Sequence, residues 1–102
     1  DAIGRDGGTA AAVALDVTDP ASVRAAIAAM PGGIDILVNN AGISIAAPAL
    51  DIAPDDWDSV VDTNLKGAFL VAQAAARRMV ADGRGGAIVN IASITGLRVA
   101  GA

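Results

Sequence analysis

Short apolar runs alternate along the chain with longer stretches in which apolar residues recur at helical spacing. The short runs are 12–17 (AVALDV), 34–38 (IDILV) and 87–91 (AIVNI), and each has the length and composition of a buried strand. The segments 21–30 and 55–82 carry the helical pattern. This alternation of strand and helix is typical of an α/β fold with a parallel sheet.

The ends of both predicted helices carry residues that start or stop helices. Thr18 or Asp19 can cap the first helix, and Pro20 suits its first turn. Residues 31–33 (PGG) end this helix, and 83–86 (GRGG) end the second one.

The second helix is apolar around more of its circumference than a single contact with a sheet requires. Its apolar residues are Val60, Val61, Leu65, Ala68, Phe69, Leu70, Val71, Ala72, Ala75, Met79 and Val80. The pattern predicts a second buried contact for this helix. Asn64 interrupts the apolar sequence and is a poor helix former, so it either satisfies a buried polar group or lines a site.

Polar or small residues follow each predicted strand. Asp16 stands at the end of the first, 39–42 (NNAG) follow the second, and 93–96 (SITG) follow the third. Ligands of open parallel α/β sheets bind at the carboxyl edge of the strands, which predicts one shared site.

Each of these residues also has a purely structural interpretation. Asp16 can accept hydrogen bonds from a ribose hydroxyl or an adenine amino group, or it can cap the following helix. The pair 39–40 and the small residues 41–42 can let a ligand approach the main chain, or form an ordinary polar turn. Ser93 can orient a carbonyl group or serve only as a turn residue.

Composition excludes several classes of function. The 102 residues are 54% hydrophobic, which indicates one small folded domain and not a disordered tail. Seven basic against eleven acidic residues give a net charge of −4, which argues against nucleic-acid binding. No apolar run approaches the roughly 18 residues of a membrane span.

The missing residue types narrow the chemistry further. The chain has no Cys and no His, so a zinc site or any other metal centre is not expected, and a cytoplasmic location fits. It also has no Tyr, so the side chains most used for proton transfer near neutral pH, carboxylates apart, are missing.

Four segments together resemble the motifs of short-chain dehydrogenases/reductases, in the order and spacing of that family. They are 15–17 (LDV), 39–42 (NNAG), 62–67 (DTNLKG) with Trp57 before it, and 88–96 (IVNIASITG). The resemblance extends over essentially the whole chain and is specific because all four occur together.

The resemblance implies a hydride transfer between the nicotinamide of NAD or NADP and a small carbonyl or alcohol substrate. Ser93 would hydrogen-bond the substrate oxygen, and Asn64 would hold a water in the proton relay. Asn39 and Asn90 would be structural ties at the sheet edge.

The resemblance also assigns the cofactor-binding residues. Asp16 and Val17 would contact adenine, whereas Asn40, Ala41 and Gly42 would contact the adjacent ribose. The family's helix equivalent to 55–82 commonly pairs with its copy across a two-fold axis, which implies a homodimer or homotetramer.

Two family features are missing from this sequence: the TGxxxGxG loop that holds the pyrophosphate, and the catalytic Tyr with its Lys. We therefore expect residues 1–102 to be a partial NAD(P)-binding Rossmann domain, truncated at both ends and inactive alone. Its strands would be the third to fifth of a doubly wound sheet ordered 3-2-1-4-5-6.

Two alternatives stay open. One is a non-catalytic dinucleotide-binding or regulatory protein on the same fold, because a fold does not fix a function. The other is a flavodoxin-like receiver or interaction module, although such receivers cluster acids at the strand ends. The general pattern resembles 3-oxoacyl-ACP reductases and sugar or polyol dehydrogenases alike, so the substrate and the choice between NAD and NADP stay undecided.

Overall fold

A computed structural model describes residues 2–98 of the chain as an α/β unit built on a parallel sheet. In chain order its elements are helix α1 (Ala2–Arg5), helix α2 (Pro20–Ala28), strand β1 (Ile36–Asn39), helix α3 (Pro54–Val61), a π-helical segment (Asp62–Gly67), helix α4 (Ala68–Ala81), strand β2 (Ala87–Asn90) and a 3₁₀ turn (Ile94–Gly96).

Strands β1 and β2 confirm the second and third predicted strands. They pair in parallel, with Ile36 opposite Ala87 at one end and Asn39 opposite Asn90 at the other. The connection between them contains α3 and α4, as expected for parallel strands that need a long crossover.

The prediction of a strand at 12–17 is wrong for the described chain. This segment forms no strand, and Val13 and Leu15 are 45% and 43% exposed. A strand needs a neighbour, and in the expected order the first two strands lie between this segment and β1. Leu15 and Leu37 both line a cavity of about 440 Å³.

Helix α2 confirms the predicted helix and its start signal. Asp19 is the N-cap and accepts a hydrogen bond from the backbone N–H of Ala21 at 2.9 Å, and Pro20 occupies the first turn. The helix ends at Ala28, two residues before the predicted end.

The predicted helix at 55–82 forms, but not as one continuous α-helix. A π-helical segment, Asp62–Gly67, separates α3 from α4 and contains Asn64. Such interruptions are rare and occur frequently at functional sites. The helical periodicity of the sequence gave no sign of this change in winding.

The core lies between α2 and α4. It consists of five side chains that are at most 6% exposed: Val23 and Ala26 from α2, and Val71, Ala75 and Met79 from α4. Helix α4 also packs on β1 and therefore joins this core to the sheet.

Two apolar faces stay exposed within residues 2–98. One is a face of the sheet, where Ile36 and Val38 of β1 are 66% and 57% exposed. The other is on the long helix, where Leu65, Phe69 and Val80 are 70%, 62% and 78% exposed. The second contact predicted for this helix would cover these three side chains.

None of the helices in residues 2–98 combines the length and the apolar content needed to cross a membrane.

Candidate functional site

A cavity of about 370 Å³ opens at the carboxyl ends of β1 and β2. It brings together five of the predicted site residues, namely Asn40, Ala41, Gly42, Asn64 and Ser93. The predicted shared site is therefore present as a physical cavity for these residues, although the roles assigned to them stay predictions.

The register of the sheet explains why these loops meet. Asn39 and Asn90 are paired residues at the ends of β1 and β2, so the segments that follow them leave the sheet side by side. Asn39 is 8% exposed, and its Nδ2 donates to the carbonyl of Ala68 at 2.7 Å and to Oδ1 of Asn90 at 3.2 Å. These two bonds tie both strands to the start of α4, which agrees with the structural role expected for both asparagines.

The side chain of Asn64 reaches from the π-helical segment to the loop after β1. Its Oδ1 accepts the backbone N–H of Ile43 at 2.8 Å, and its Nδ2 donates to the carbonyl of Ile43 at 2.8 Å. Asn64 therefore holds the loop by both polar groups of its amide. Ile43 is a partner that sequence reasoning missed, and its only signal was its place directly after residues 39–42.

Gly42 lets this loop approach Asn64 closely. A Cβ atom added at position 42 would lie 3.3 Å from Oδ1 of Asn64. A side chain at position 42 would therefore press on the Asn64–Ile43 hydrogen bonds, which is a physical reason for glycine here.

Ser93 is exposed and stands directly before the 3₁₀ turn. Its Oγ accepts the backbone N–H of Thr95 at 3.2 Å and lies 2.8 Å from Oγ1 of Thr95. When the Thr95 hydroxyl donates in this pair, the proton of Ser93 is left to donate to another oxygen. The loop thus presents a hydroxyl donor beside the cavity.

Asp16 and Val17 do not line the cavity. Asp16 is exposed, and its Oδ1 accepts two hydrogen bonds from Thr18, one from the backbone N–H at 2.9 Å and one from the hydroxyl at 2.7 Å. The backbone N–H of Asp16 donates to Oγ of Ser22 at 2.9 Å. The cap of α2 is Asp19, so the structural alternative for Asp16, capping that helix, is excluded.

The hydrogen bonds from Thr18, above all the one from its hydroxyl, hold the pKa of Asp16 below its ordinary value. We predict that Thr18→Val raises the pKa of Asp16 toward that ordinary value, whereas Thr18→Ser leaves it low. A pKa that is lower in the folded state stabilises the fold above the unfolded-state pKa, and this stabilisation is lost as pH falls through the lowered value. The carboxyl chemical shift of Asp16, followed by NMR against pH, measures the change, and an unaltered titration in Thr18→Val would contradict it.

The fold and the position of the cavity are typical of one class of protein, the open α/β-sheet proteins that bind ligands at the carboxyl edge of the sheet. A parallel α/β sheet carries a polar cavity at its carboxyl edge, which is where open sheets of this kind bind nucleotides and related ligands. Residues 2–98 contain no group of three or more His, Cys, Asp or Glu side chains placed to hold a metal ion.

Comparison with known sequences agrees with this class. The family model described as "short chain dehydrogenase" matches residues 1–101. D-threitol dehydrogenase of Mycolicibacterium smegmatis is 51% identical over 94 residues, which are 89% of this chain and 36% of that enzyme. Sorbitol dehydrogenase of Cereibacter sphaeroides is 45% identical over 95 residues, which are 90% of this chain and 37% of that enzyme.

Solved structures show the same relationship. A short-chain type dehydrogenase/reductase from Mycobacterium marinum superposes with a TM-score of 0.91 at 42% identity, covering 95% of this chain and 40% of that one. A structure from Agrobacterium tumefaciens with bound NADP superposes with a TM-score of 0.84 at 42% identity, covering 96% of this chain and 39% of that one.

The chain belongs to the short-chain dehydrogenase family. This membership excludes the alternative that the chain is a flavodoxin-like receiver or interaction module. The chain spans little more than a third of the length of its curated relatives, 36% and 37% for the two named above.

Proposed function

We propose that the whole protein is an NAD(P)-dependent oxidoreductase that transfers hydride between nicotinamide and the carbonyl or alcohol carbon of a small substrate. The observation that carries the proposal is the cavity that places Ser93 and Asn64 beside residues 40–42 in a member of this family. The dinucleotide supplies the hydride chemistry when bound, and the protein positions it.

Asp16, Val17 and the residues that line the cavity fit a dinucleotide. Within residues 2–98 no hydrogen bond reaches Oδ2 of Asp16, so this carboxylate can accept from adenine or ribose while Oδ1 stays bonded to Thr18. Val17 would provide an apolar contact for adenine. Asn40, Ala41 and Gly42 would contact the adjacent ribose, because they line the cavity with little side-chain bulk at 41–42.

Ser93 and Asn64 would act at the other end of the cofactor. The Ser93 hydroxyl would donate to the substrate oxygen, because its bonds to Thr95 leave its proton free when Thr95 donates. The Asn64 amide is already engaged with Ile43, so a water would be held by the backbone around Asn64 in the π-helical segment. The proton of the substrate oxygen would pass to a Tyr–Lys pair that is not among residues 1–102.

Polyols and sugars are the substrate class that we propose. The relatives named as threitol and sorbitol dehydrogenases support it, and so does the galactitol 2-dehydrogenase of Agrobacterium fabrum at 46% identity. The choice between NAD and NADP has to be measured, because the NADP in the Agrobacterium tumefaciens structure is evidence about that protein alone.

The coding sequence on both sides of this chain tests the proposal first. A glycine-rich TGxxxGxG segment upstream and a Tyr–Lys pair downstream would support an oxidoreductase. A reading frame without the Tyr would contradict the catalytic part of the proposal.

A non-catalytic dinucleotide-binding protein is the second candidate, and one observation favours it. Asn64 and Ser93 have structural partners in Ile43 and Thr95, so their presence alone does not require catalysis. Dinucleotide binding by the whole protein without turnover on any polyol, sugar or simple ketone would support this candidate.

We propose that the exposed stripe of Leu65, Phe69 and Val80 is covered in a homodimer or homotetramer. These side chains are 62% to 78% exposed in the single chain and follow one another at helical spacing.

We predict that Phe69→Glu in the whole protein lowers the oligomer mass, because a carboxylate would be buried without a partner. Light scattering measures the mass, and Asp58→Asn at an exposed position of α3 is the control. A monomeric wild-type protein at micromolar concentration would contradict the prediction.

A further inference from the structure

Gly67 ends the π-helical segment and is buried against the side chain of Val17. A Cβ atom added at position 67 would lie 2.7 Å from Cγ2 and 3.1 Å from Cβ of Val17, and 3.2 Å from the carbonyl oxygen of Asp62. The first distance is far inside ordinary van der Waals contact. The segment 16–18 therefore lies as close to the helix as it does only because residue 67 has no side chain.

Val17 cannot yield to such a Cβ by turning its side chain. Its two γ-methyl groups branch at Cβ, so few rotamers are open to it, and its own Cβ would also be crowded. The backbone of residues 16–18 would have to move. That movement would carry Asp16 with it, because Asp16 precedes Val17 in the chain and its carboxylate is hydrogen-bonded to Thr18 within the same segment.

The π-helical segment is held on both sides of Gly67 by bonds that do not involve Val17. Before Gly67, the Asn64 amide makes two hydrogen bonds to the backbone of Ile43. After it, the carbonyl of Ala68 accepts from the buried Asn39. Because these bonds fix the helix on both sides of Gly67, the displacement caused by a larger residue would fall mainly on the Val17 side.

We propose that Gly67 is a positioning residue that sets the adenine end of the dinucleotide site through its contact with Val17. The inference rests on the proposed function, because it takes Asp16 and Val17 as the adenine contacts. It adds that the helix carrying Asn64 also determines where those adenine contacts lie. The adenine end and the Asn64 end of the site are thereby packed against one short stretch of helix.

The test compares two reduced cofactors in the whole protein. The first is NADH or NADPH, whichever the wild type binds more tightly, and the second is reduced nicotinamide mononucleotide, which lacks the adenosine half. We expect Gly67→Ala to weaken binding of the dinucleotide about tenfold, as displacement by one added methyl group predicts. Binding of the mononucleotide and kcat at saturating dinucleotide should stay within about twofold, since the Asn64 side of the site does not move.

Two further variants isolate the Val17 contact. Val17→Ala combined with Gly67→Ala removes Cγ2, the atom that would lie 2.7 Å from the new Cβ, and leaves contacts of 3.1 Å or more, so the dinucleotide affinity should return close to that of Val17→Ala alone. Gly85→Ala is the matched control, because a Cβ there would meet no atom within 4 Å, and it should change neither affinity. If Gly67→Ala alone fails to fold, the double variant still tests the proposal. The proposal requires the double variant to fold and to bind the dinucleotide about as tightly as Val17→Ala does.

The outcomes separate the inference from the function on which it rests. Equal weakening of dinucleotide and mononucleotide binding would mean a general structural defect and would overturn the inference. Unchanged binding of both cofactors by Gly67→Ala would also overturn it. A wild-type protein that binds no nicotinamide dinucleotide would overturn the proposed function itself, and the inference with it.

Discussion

Replacing Ser93 with alanine is expected to lower kcat of the whole protein by about 100- to 1,000-fold, the range found when one positioned donor to a developing oxyanion is removed. The expectation follows from the place of Ser93 beside the cavity and from its hydrogen bonds to Thr95. These bonds fix the Oγ atom and leave its proton able to point at a substrate oxygen. Steady-state kinetics with saturating dinucleotide measure the effect.

Controls distinguish the loss of this donor from damage to the loop. Ser93 is exposed and caps only a short 3₁₀ turn, so Ser93→Ala should change the free energy of unfolding by less than about 1 kcal/mol. Ser93→Thr keeps a hydroxyl and should retain more activity than Ser93→Ala. Dinucleotide affinity should be unchanged in both variants. A kcat for Ser93→Ala within a few-fold of the wild type would remove Ser93 from the catalytic machinery.

Replacing Asn39 with leucine is expected to destabilise the whole protein by about 1–3 kcal/mol, the cost of leaving buried hydrogen-bonding groups without partners. Leucine has a similar volume but cannot donate to the carbonyl of Ala68 or to Oδ1 of Asn90. The variant therefore tests the hydrogen bonds rather than the packing. Urea-induced unfolding measures the change as a shift in midpoint at constant slope.

Asn40 provides the matched control for Asn39. The two residues are adjacent and of the same type, but Asn40 is exposed and lines the cavity. Asn40→Ala should change the free energy of unfolding by less than about 0.5 kcal/mol, as is usual at exposed positions. It should instead weaken dinucleotide binding. Equal destabilisation by Asn39→Leu and Asn40→Ala would contradict the tie between the strands and α4.

The sequence predicted what local patterns encode. The runs at 34–38 and 87–91 became β1 and β2, because their side chains are apolar and each run is followed by a turn or polar segment. Asp19 and Pro20 marked the start of α2 because capping depends on only a few neighbouring residues. The common edge of the site followed from the rule that parallel strands end on the same side of a sheet.

What the sequence did not predict depends on partners distant along the chain. The run at 12–17 has the composition of a strand but no neighbouring strand among residues 2–98 with which to pair. The change from α- to π-helical winding at Asp62–Gly67 has no periodicity of its own in so short a segment. The role of Asn64 as a clamp on Ile43 also required the loop after β1 to be placed in space.

Formation of reduced nicotinamide by the whole protein tests the central claim most directly. The purified protein is mixed with NAD⁺ or NADP⁺ and a panel of polyols and sugars, and the near-ultraviolet absorbance of the reduced cofactor is followed. We predict turnover with at least one polyol or sugar and its loss in Ser93→Ala. Dinucleotide binding without any turnover across the panel, or turnover that Ser93→Ala leaves unchanged, would contradict the roles proposed here.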